Sequence, residues 1–471
     1  MSVSMPEPLF NLLPCPTPMA LAGKRVLALG LGDTGLAVAR WVTREGGSVR
    51  VADTRASPPR AAELRTGELV TGAFDFQLLA GIDLVCISPG LALSEPVAQE
   101  ALARGIPLVG EIELFAWHVR AAGREAKVAA VTGTNGKTTV TSLTGHLLRT
   151  AGIDCEVAGN IGPAALEALM QRLDEGRLPK AWVLELSSYQ LETTWSLRPD
   201  CATLLNLSED HLDRYGSIDE YGAAKARIFQ GEGTQVLNRD DPRVAAFVRP
   251  GRRCVGFGLG APPDEDDYGV ITIRGRKWLA RGARALIAAD ELPIHGWHNA
   301  SNALAAAALA GELGAPAAAI ADGLRSFRGL PHRIERVALR NGVAWYDDSK
   351  GTNVGATIAA LRGLGRKVVL IAGGEGKGQD FTPLAVPVSE CATLVLLIGR
   401  DAPVIARALA RTRVPVETCA SLEEAVAAAA RTARSGEAVL LSPACASFDM
   451  FRDYKHRGEV FAEAVRALGD G

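Results

Sequence analysis

The chain has 471 residues, a formal net charge of −2 and 48% hydrophobic residues. That length suits about three domains, and the charge excludes a global basic field for nucleic acid or an anionic membrane surface. Its eight cysteines (15, 86, 155, 201, 254, 391, 419, 445) are scattered without a C-x-x-C pair, which argues for a reducing compartment and against a disulfide framework or structural zinc. No basic residue precedes Lys24 and no apolar run is long enough to span a bilayer, so the expectation is a cytoplasmic protein.

Residues 1–22 are Pro-rich and are expected to form an irregular extension. A strand from Val26 to Leu29 then runs into Gly30-Leu31-Gly32-Asp33-Thr34-Gly35 and a helix through Trp41, and the next strand ends at Asp53-Thr54-Arg55. A G-x-G-x-x-G turn with an acid closing the following strand is a nucleotide-binding arrangement of the Rossmann type. The acid makes NAD one reading, and a UDP-sugar is served equally well by the same geometry. Strands from Leu84 to Ile87 and Ile106 to Val109 complete this unit, which stops near Gly110.

The strongest motif follows. The apolar run Val128–Val131 leads into Thr132-Gly133-Thr134-Asn135-Gly136-Lys137-Thr138-Thr139 and a helix opening at Thr138 or Thr139. Strand, Gly-rich turn and helix N-terminus surround an anion with backbone N–H groups, Lys137 adds a point charge, and the Thr138 hydroxyl suits Mg²⁺. Val131 stands where the common G-x-x-x-x-G-K-[ST] pattern has its first glycine. Further on, Gly159-Asn160-Ile161-Gly162 is a turn that can place an Asn beside a ligand. Glu185 interrupts the apolar strand Ala181–Leu186, where a lone acid needs a cation. A salt bridge answers that need, and so does Mg²⁺ near the phosphate loop. The loop from Asn206 to Tyr215 packs Glu209, Asp210, His211 and Asp213 after a strand and looks metal-proximal, although oxygen donors suit Mg²⁺ better than His211 does. Lys225, on a helix from Tyr221 to Phe229, is not distinguished by pattern. Residues 260–268 read as an acidic surface loop, and Asn299 and Asn302 begin an Ala-rich helix through Ala321.

Gly329-Leu330-Pro331-His332-Arg333 reads as a hinge with a cation just beyond it. After it, strands end in Asp347-Asp348-Ser349-Lys350-Gly351-Thr352-Asn353, in Gly373-Gly374-Glu375-Gly376-Lys377-Gly378 and in Ser442-Pro443-Ala444-Cys445-Ala446-Ser447-Phe448-Asp449. Polar residues at strand C-termini are where open α/β sheets bind ligands. Cys445, between alanines, reads as a buried structural thiol. The predicted fold is α/β with three domains. Residues 1–110 form a Rossmann-like domain, 111–329 a central P-loop ATPase-like domain with a mostly parallel sheet, and 330–471 a Rossmann-like α/β domain.

Taken together, Gly133–Thr139, Glu185-Leu-Ser-Ser, Glu209–Arg214, His298–Asn302, Gly329–Arg333, Asp348–Asn353 and Leu441–Ser447 resemble, in order, the motifs of the Mur ligases. The resemblance extends from about Lys24 to the C-terminus. It implies an ATP-dependent ligase that adds D-glutamate to UDP-N-acetylmuramoyl-L-alanine through an acyl phosphate, in peptidoglycan precursor synthesis. By this resemblance Asp33, Thr34, Gly35, Asp53, Thr54 and Arg55 bind the UDP part, and Asn160, Ser187 and Gln190 lie near the muramoyl part. Gly133 to Thr139 hold the ATP phosphates, with Lys137 on the transferring one. Thr138, Glu185, His211 and Lys225 serve the magnesium ions (two are expected), Lys225 as a CO₂-derived carbamate. Asn299, Asn302, Arg333 and Asp348 match the remaining ATP contacts, and Lys350, Thr352, Lys377, Ser447, Phe448 and Tyr454 match the glutamate pocket. The resemblance also implies a monomer acting on small molecules, without nucleic acid or membrane insertion.

The chain departs from the usual pattern at Tyr454 (Phe is common), at Lys455-His456 (acids are usual) and at Glu375 (Asp is more familiar). These surround the expected glutamate pocket and keep a Mur-type ligase of another amino acid, or of L-glutamate, as the alternative. A nicotinamide-dependent oxidoreductase leaves the phosphate loop, Glu185 and the Asp348 motif without a role. An ATPase without a small-molecule partner substrate predicts phosphate release from ATP alone.

Overall fold

Apolar strands alternating with amphipathic helices wind into three sheets in the computed structural model, which describes residues 9–121, 125–211 and 214–468. Residues 1–8 of the extension and Leu212 and Asp213 of the acidic loop lie outside the described residues. The first sheet contains β1 (Arg25–Leu29), β2 (Ser48–Asp53), β3 (Glu68–Thr71), β4 (Leu84–Ile87) and β5 (Leu108–Val109), all parallel in the order β3-β2-β1-β4-β5. Its order reverses between β1 and β4, and such a switch point leaves a crevice beyond the strand C-termini. The Gly-rich turn lies there. A Cβ on Gly35 would sit 1.9 Å from the Gly30 carbonyl oxygen, so only glycine lets the turn close.

The central sheet contains β6 (Lys127–Thr132), β7 (Cys155–Gly159), β8 (Ala181–Glu185), β9 (Cys201–Leu204), β10 (Thr234–Asn238), β11 (Cys254–Phe257), β12 (Tyr268–Ile273), β13 (Arg276–Arg281) and β14 (Arg284–Ala288). Its order is β14-β13-β12-β11-β10-β9-β6-β8-β7, parallel from β7 to β12 and antiparallel at the β12–β14 edge. β6 is flanked by β8 and β9, so the phosphate loop emerges between the loop after Glu185 and the loop after Leu204. Alternate residues of β6 feed opposite faces, Val128 and Ala130 one core and Ala129 and Val131 the other. The third sheet contains β15 (Glu335–Arg340), β16 (Val343–Asp347), β17 (Val368–Gly373), β18 (Ala392–Ile398), β19 (Val416–Thr418) and β20 (Ala438–Leu441), in the order β15-β16-β20-β17-β18-β19. Only β15 runs antiparallel to its neighbour. Among the described residues no helix is long and apolar enough to cross a membrane.

Several expectations need correction. The extension is not wholly irregular, because Leu9–Leu12 is helical and Phe10 is buried against the first core. The Ala-rich segment is two helices, Trp297–Glu312 and Ala317–Ser326, because Gly314 turns at φ +98° and Pro316 cannot continue the first. Lys225 lies on Ile218–Ala226, and Arg227–Phe229 is a separate tighter turn. The acidic loop ends with Asp267 turned inward, accepting from the Gly256 amide and paired with Arg239.

Candidate functional site

The loop after β6 is shaped by its own backbone. Gly133 adopts φ +149° and Gly136 φ +84°, and helix Lys137–Thr150 begins at the lysine. The Thr134 amide donates to the Asn206 carbonyl, the Asn135 amide donates to Asn206 Oδ1, and the Ser208 amide donates to Thr134 Oγ1. The loop after β9 thus anchors one half of the phosphate loop. Lys137 Nζ folds back, donating to the carbonyls of Gly133 and Thr134 at 2.8 Å each. Burial holds its ammonium below the ordinary lysine range, against the pull of Glu185 and Asp210. A Cβ on Gly136 would lie 2.5 Å from Asn302 Oδ1, so the Asn299–Asn302 pair, joined at 3.1 Å, sits directly on the loop.

Glu185 closes β8 and is 2% exposed. Asn160 Nδ2 donates to its Oε1 at 2.7 Å, while Oε2 is buried with no hydrogen-bond partner. An orphaned carboxylate oxygen in a buried site is costly unless a cation completes it. Four basic side chains feel this carboxylate: Lys137, Lys225, Arg333 and Lys350, the last two from beyond the hinge. Lys225 is 1% exposed and makes no hydrogen bond or ion pair with a described residue, its Nζ lying 4.5 Å from the centre of the Tyr221 ring. Burial and the nearby Lys137 charge push it well down, toward the free amine. His211, at φ +55°, packs on the rings of Tyr189 and Tyr221, the ring that Lys225 also approaches.

The third domain closes over this group. Arg333 Nη2 donates to Thr138 Oγ1 at 2.6 Å, and Asn353 Nδ2 donates to Asn135 Oδ1 at 3.2 Å and to Asp210 Oδ2 at 3.4 Å. Burial raises Asp348 to about 7, with Ser442 Oγ donating to it at 2.7 Å and Arg333 opposing the rise. Lys350 lies 4.0 Å above the Tyr454 ring and burial brings it down to about 8. Lys377 lies 5.8 Å from the ring of Phe448, which is itself exposed. Thr352 shares the loop of Lys350, and the buried Ser447 precedes Phe448 on another.

Other predicted residues stand apart. Ser187 and Gln190 form the capping box of helix Ser188–Glu192, each satisfying the other's backbone amide. Asp53 accepts from the Leu31 amide at 2.7 Å and from Arg55, which holds it far below the usual carboxylate range. Both oxygens of the acid expected to read a ribose are therefore engaged, and the half-exposed Arg55 carries the free polar surface. Asp33 is bound by Arg60 at 2.6 Å, and Thr34, Gly35 and Thr54 complete that edge. No hydrogen bond or ion pair joins these six residues to the phosphate loop among the described residues.

Arg457 was not singled out in the sequence. It is fully buried and donates to the carbonyls of Ser349, Cys445 and Ala446 and to Ser349 Oγ, tying the Lys350 loop to the Ser447 loop. Burial lowers it to about 10, against the opposing pull of Asp449, Asp347 and Asp348. Cys445 beside it is held up at about 12 by burial, an inert thiol.

Residues 24–110 match the family described as "Mur ligase MurD-like, N-terminal domain", residues 131–310 "Mur ligase middle domain", and residues 332–445 "Mur ligase, glutamate ligase domain". A protein of Nitrosospira multiformis named UDP-N-acetylmuramoylalanine--D-glutamate ligase is 54% identical over 457 residues, covering 96% of this chain and 97% of its own. A protein of the same name from Aromatoleum aromaticum is 54% identical over 458 residues, covering 95% and 98%. Among solved structures, MurF from Acinetobacter baumannii shares the fold at TM-score 0.60 and 18% identity, covering 95% of this chain and 91% of its own.

Proposed function

The chain belongs to the Mur ligase family, and we propose that it joins D-glutamate to the alanyl carboxylate of UDP-N-acetylmuramoyl-L-alanine at the expense of ATP. The observation that carries the reading is the unpartnered Glu185 oxygen ringed by Lys137, Lys225, Arg333 and Lys350. A site with three cations, a buried lysine amine and one orphaned acid fits a polyphosphate with its divalent ion better than it fits water. The first sheet, within residues 1–110, would hold the UDP part, 111–329 the ATP and 330–471 the glutamate. The enzyme works as a monomer in the cytoplasm.

Thr138, Glu185 and His211 would hold Mg²⁺, which supplies charge screening at the transferring phosphoryl group. Lys137 exchanges its two loop carbonyls for phosphate oxygens as the nucleotide enters. Lys225, buried toward its neutral form, has the lone pair needed to add CO₂. The N–C bond forms, one proton leaves, and the neutral amine becomes an anion able to ligate the metal. The alanyl carboxylate then attacks the γ-phosphorus, the bond to ADP breaks, and an acyl phosphate results. Lys350 and Lys377 match the two carboxylates of glutamate, whose amine attacks the acyl carbon and expels phosphate. Arg333 and Asn353 hold the third domain shut, excluding water from the acyl phosphate.

Phosphate release tests this directly. It is expected only with ATP, UDP-N-acetylmuramoyl-L-alanine and D-glutamate together, and release from ATP alone, or equal release with L-glutamate, would overturn the reading. Lys225→Ala is expected to cut turnover on the order of 100-fold or more with an unchanged melting temperature, and near-normal turnover would remove the carbamate.

A further inference from the structure

The central and third domains keep separate apolar cores, the first reaching its last partly buried member at Leu330 and the other beginning at Ile334. What joins them besides the chain is side-chain contact, and helix Val354–Gly363 is gripped at both ends. At its start Asn353 caps the Ala356 amide while donating to Asn135 and Asp210. At its end stands His298, from the first turn of central helix Trp297–Glu312. A Cβ on Gly363 would lie 2.2 Å from His298 Nδ1 and 2.6 Å from Cε1. That nitrogen is enclosed and has no hydrogen-bond partner. The ring therefore fills a socket that exists because residue 363 has no side chain.

We propose that His298 is a positioning residue, the latch by which the central domain holds the third domain closed, and that Gly363 is its socket. The proposal rests on reading the third domain as a closing unit over the nucleotide. His298 precedes Asn299 and shares its helical turn with Asn302, which touches Gly136. Seating of the ring and shaping of the phosphate loop are thus set by one short segment. The contact lies at the far end of the helix from Asn353, about 15 Å away at 1.5 Å per residue, so it acts through closure and touches no reacting atom.

The socket gives a sharp test. Gly363 ends its helix without a left-handed φ, and alanine is the better helix former, so Gly363→Ala should fold while its methyl collides with the imidazole. Expected results are an expanded small-angle scattering profile with the non-hydrolysable analogue AMP-PNP and Mg²⁺, and kcat at least tenfold down. The double variant His298→Ala, Gly363→Ala should regain part of the lost compactness and turnover, because the methyl then fills part of the vacated space, while His298→Ala alone, with the socket empty, should be more expanded than wild type. Gly363→Ala within twofold of wild type in kcat and equally compact would overturn the latch, as would a double variant no better than Gly363→Ala. If the wild-type chain releases no phosphate with any substrate, the proposed function fails, while the scattering series still decides the latch.

Discussion

The helix Glu111–Val119 and the helix Val354–Gly363 both lie where one α/β unit meets the next, and they join their neighbours by opposite means. At the first junction a single core runs from Val26 and Trp41 through Ile112 and Phe115 to Trp182 and Leu204. Phe115 packs edge-on to Trp182 with ring centres 5.0 Å apart, Trp41 does the same to His118, and Glu113 accepts the amides of Trp195 and Ser196. At the second junction the cores stop short of each other, and Arg333, Asn353 and His298 make the contacts. Apolar area is lost all at once when a seam opens, whereas polar contacts exchange for water at little net cost. The first seam therefore fixes the first sheet to the central sheet, and the second is the seam that costs less to part.

The largest expected effect comes from breaking the apolar seam. Phe115→Ala should cost about 3–5 kcal/mol, read by chemical denaturation, and a loss under about 1 kcal/mol would show that the seam is not structural. Arg333→Ala should do the reverse. The melting temperature should hold while turnover falls on the order of 100-fold, about 3 kcal/mol in the barrier, and a stability loss with normal turnover would contradict the comparison. A smaller effect hides inside the seam, where burial raises Glu111 to about 7 despite the Leu166 amide at 2.5 Å. The fold holds this proton more tightly than the unfolded chain does. The penalty is absent at about pH 4, grows as pH rises toward 7 and is complete above it, up to about 3 kcal/mol. Denaturation midpoints should fall more between pH 5 and pH 8 for wild type than for Glu111→Gln, and parallel curves would exclude Glu111 as the titrating group. Least of all, Arg44→Ala breaks an exposed 2.6 Å pair with Asp174 across the same junction and should cost under about 1 kcal/mol.

The parts read well from sequence are those made by neighbours in sequence. Gly133 to Thr139 needs only a strand, two glycines and a helix start, and the three sheets follow from apolar runs separated by helical stretches. Glu185 was visible because an acid breaks an otherwise apolar strand. Arg457 was not, since in a first helical turn it resembles a surface cation, and its burial comes from carbonyls about ten and a hundred residues away. Lys225 likewise looks ordinary until packing removes its water and sets Lys137 beside it. The β12–β14 edge is not legible because its strands are half-exposed, whereas Gly314-Ala315-Pro316 carries a local signal for the helix break.

The folded-back Lys137 has a consequence for selectivity. Its ammonium is already solvated by two loop carbonyls, so an incoming group enters by substitution rather than by filling a vacancy. A nucleoside without phosphates offers nothing in exchange and leaves the lysine where it is. A terminal phosphoryl group replaces both oxygens and adds negative charge, which makes the swap favourable. On the proposed function the loop would discriminate by the number and charge of oxygens presented, with the lysine serving as its own internal plug.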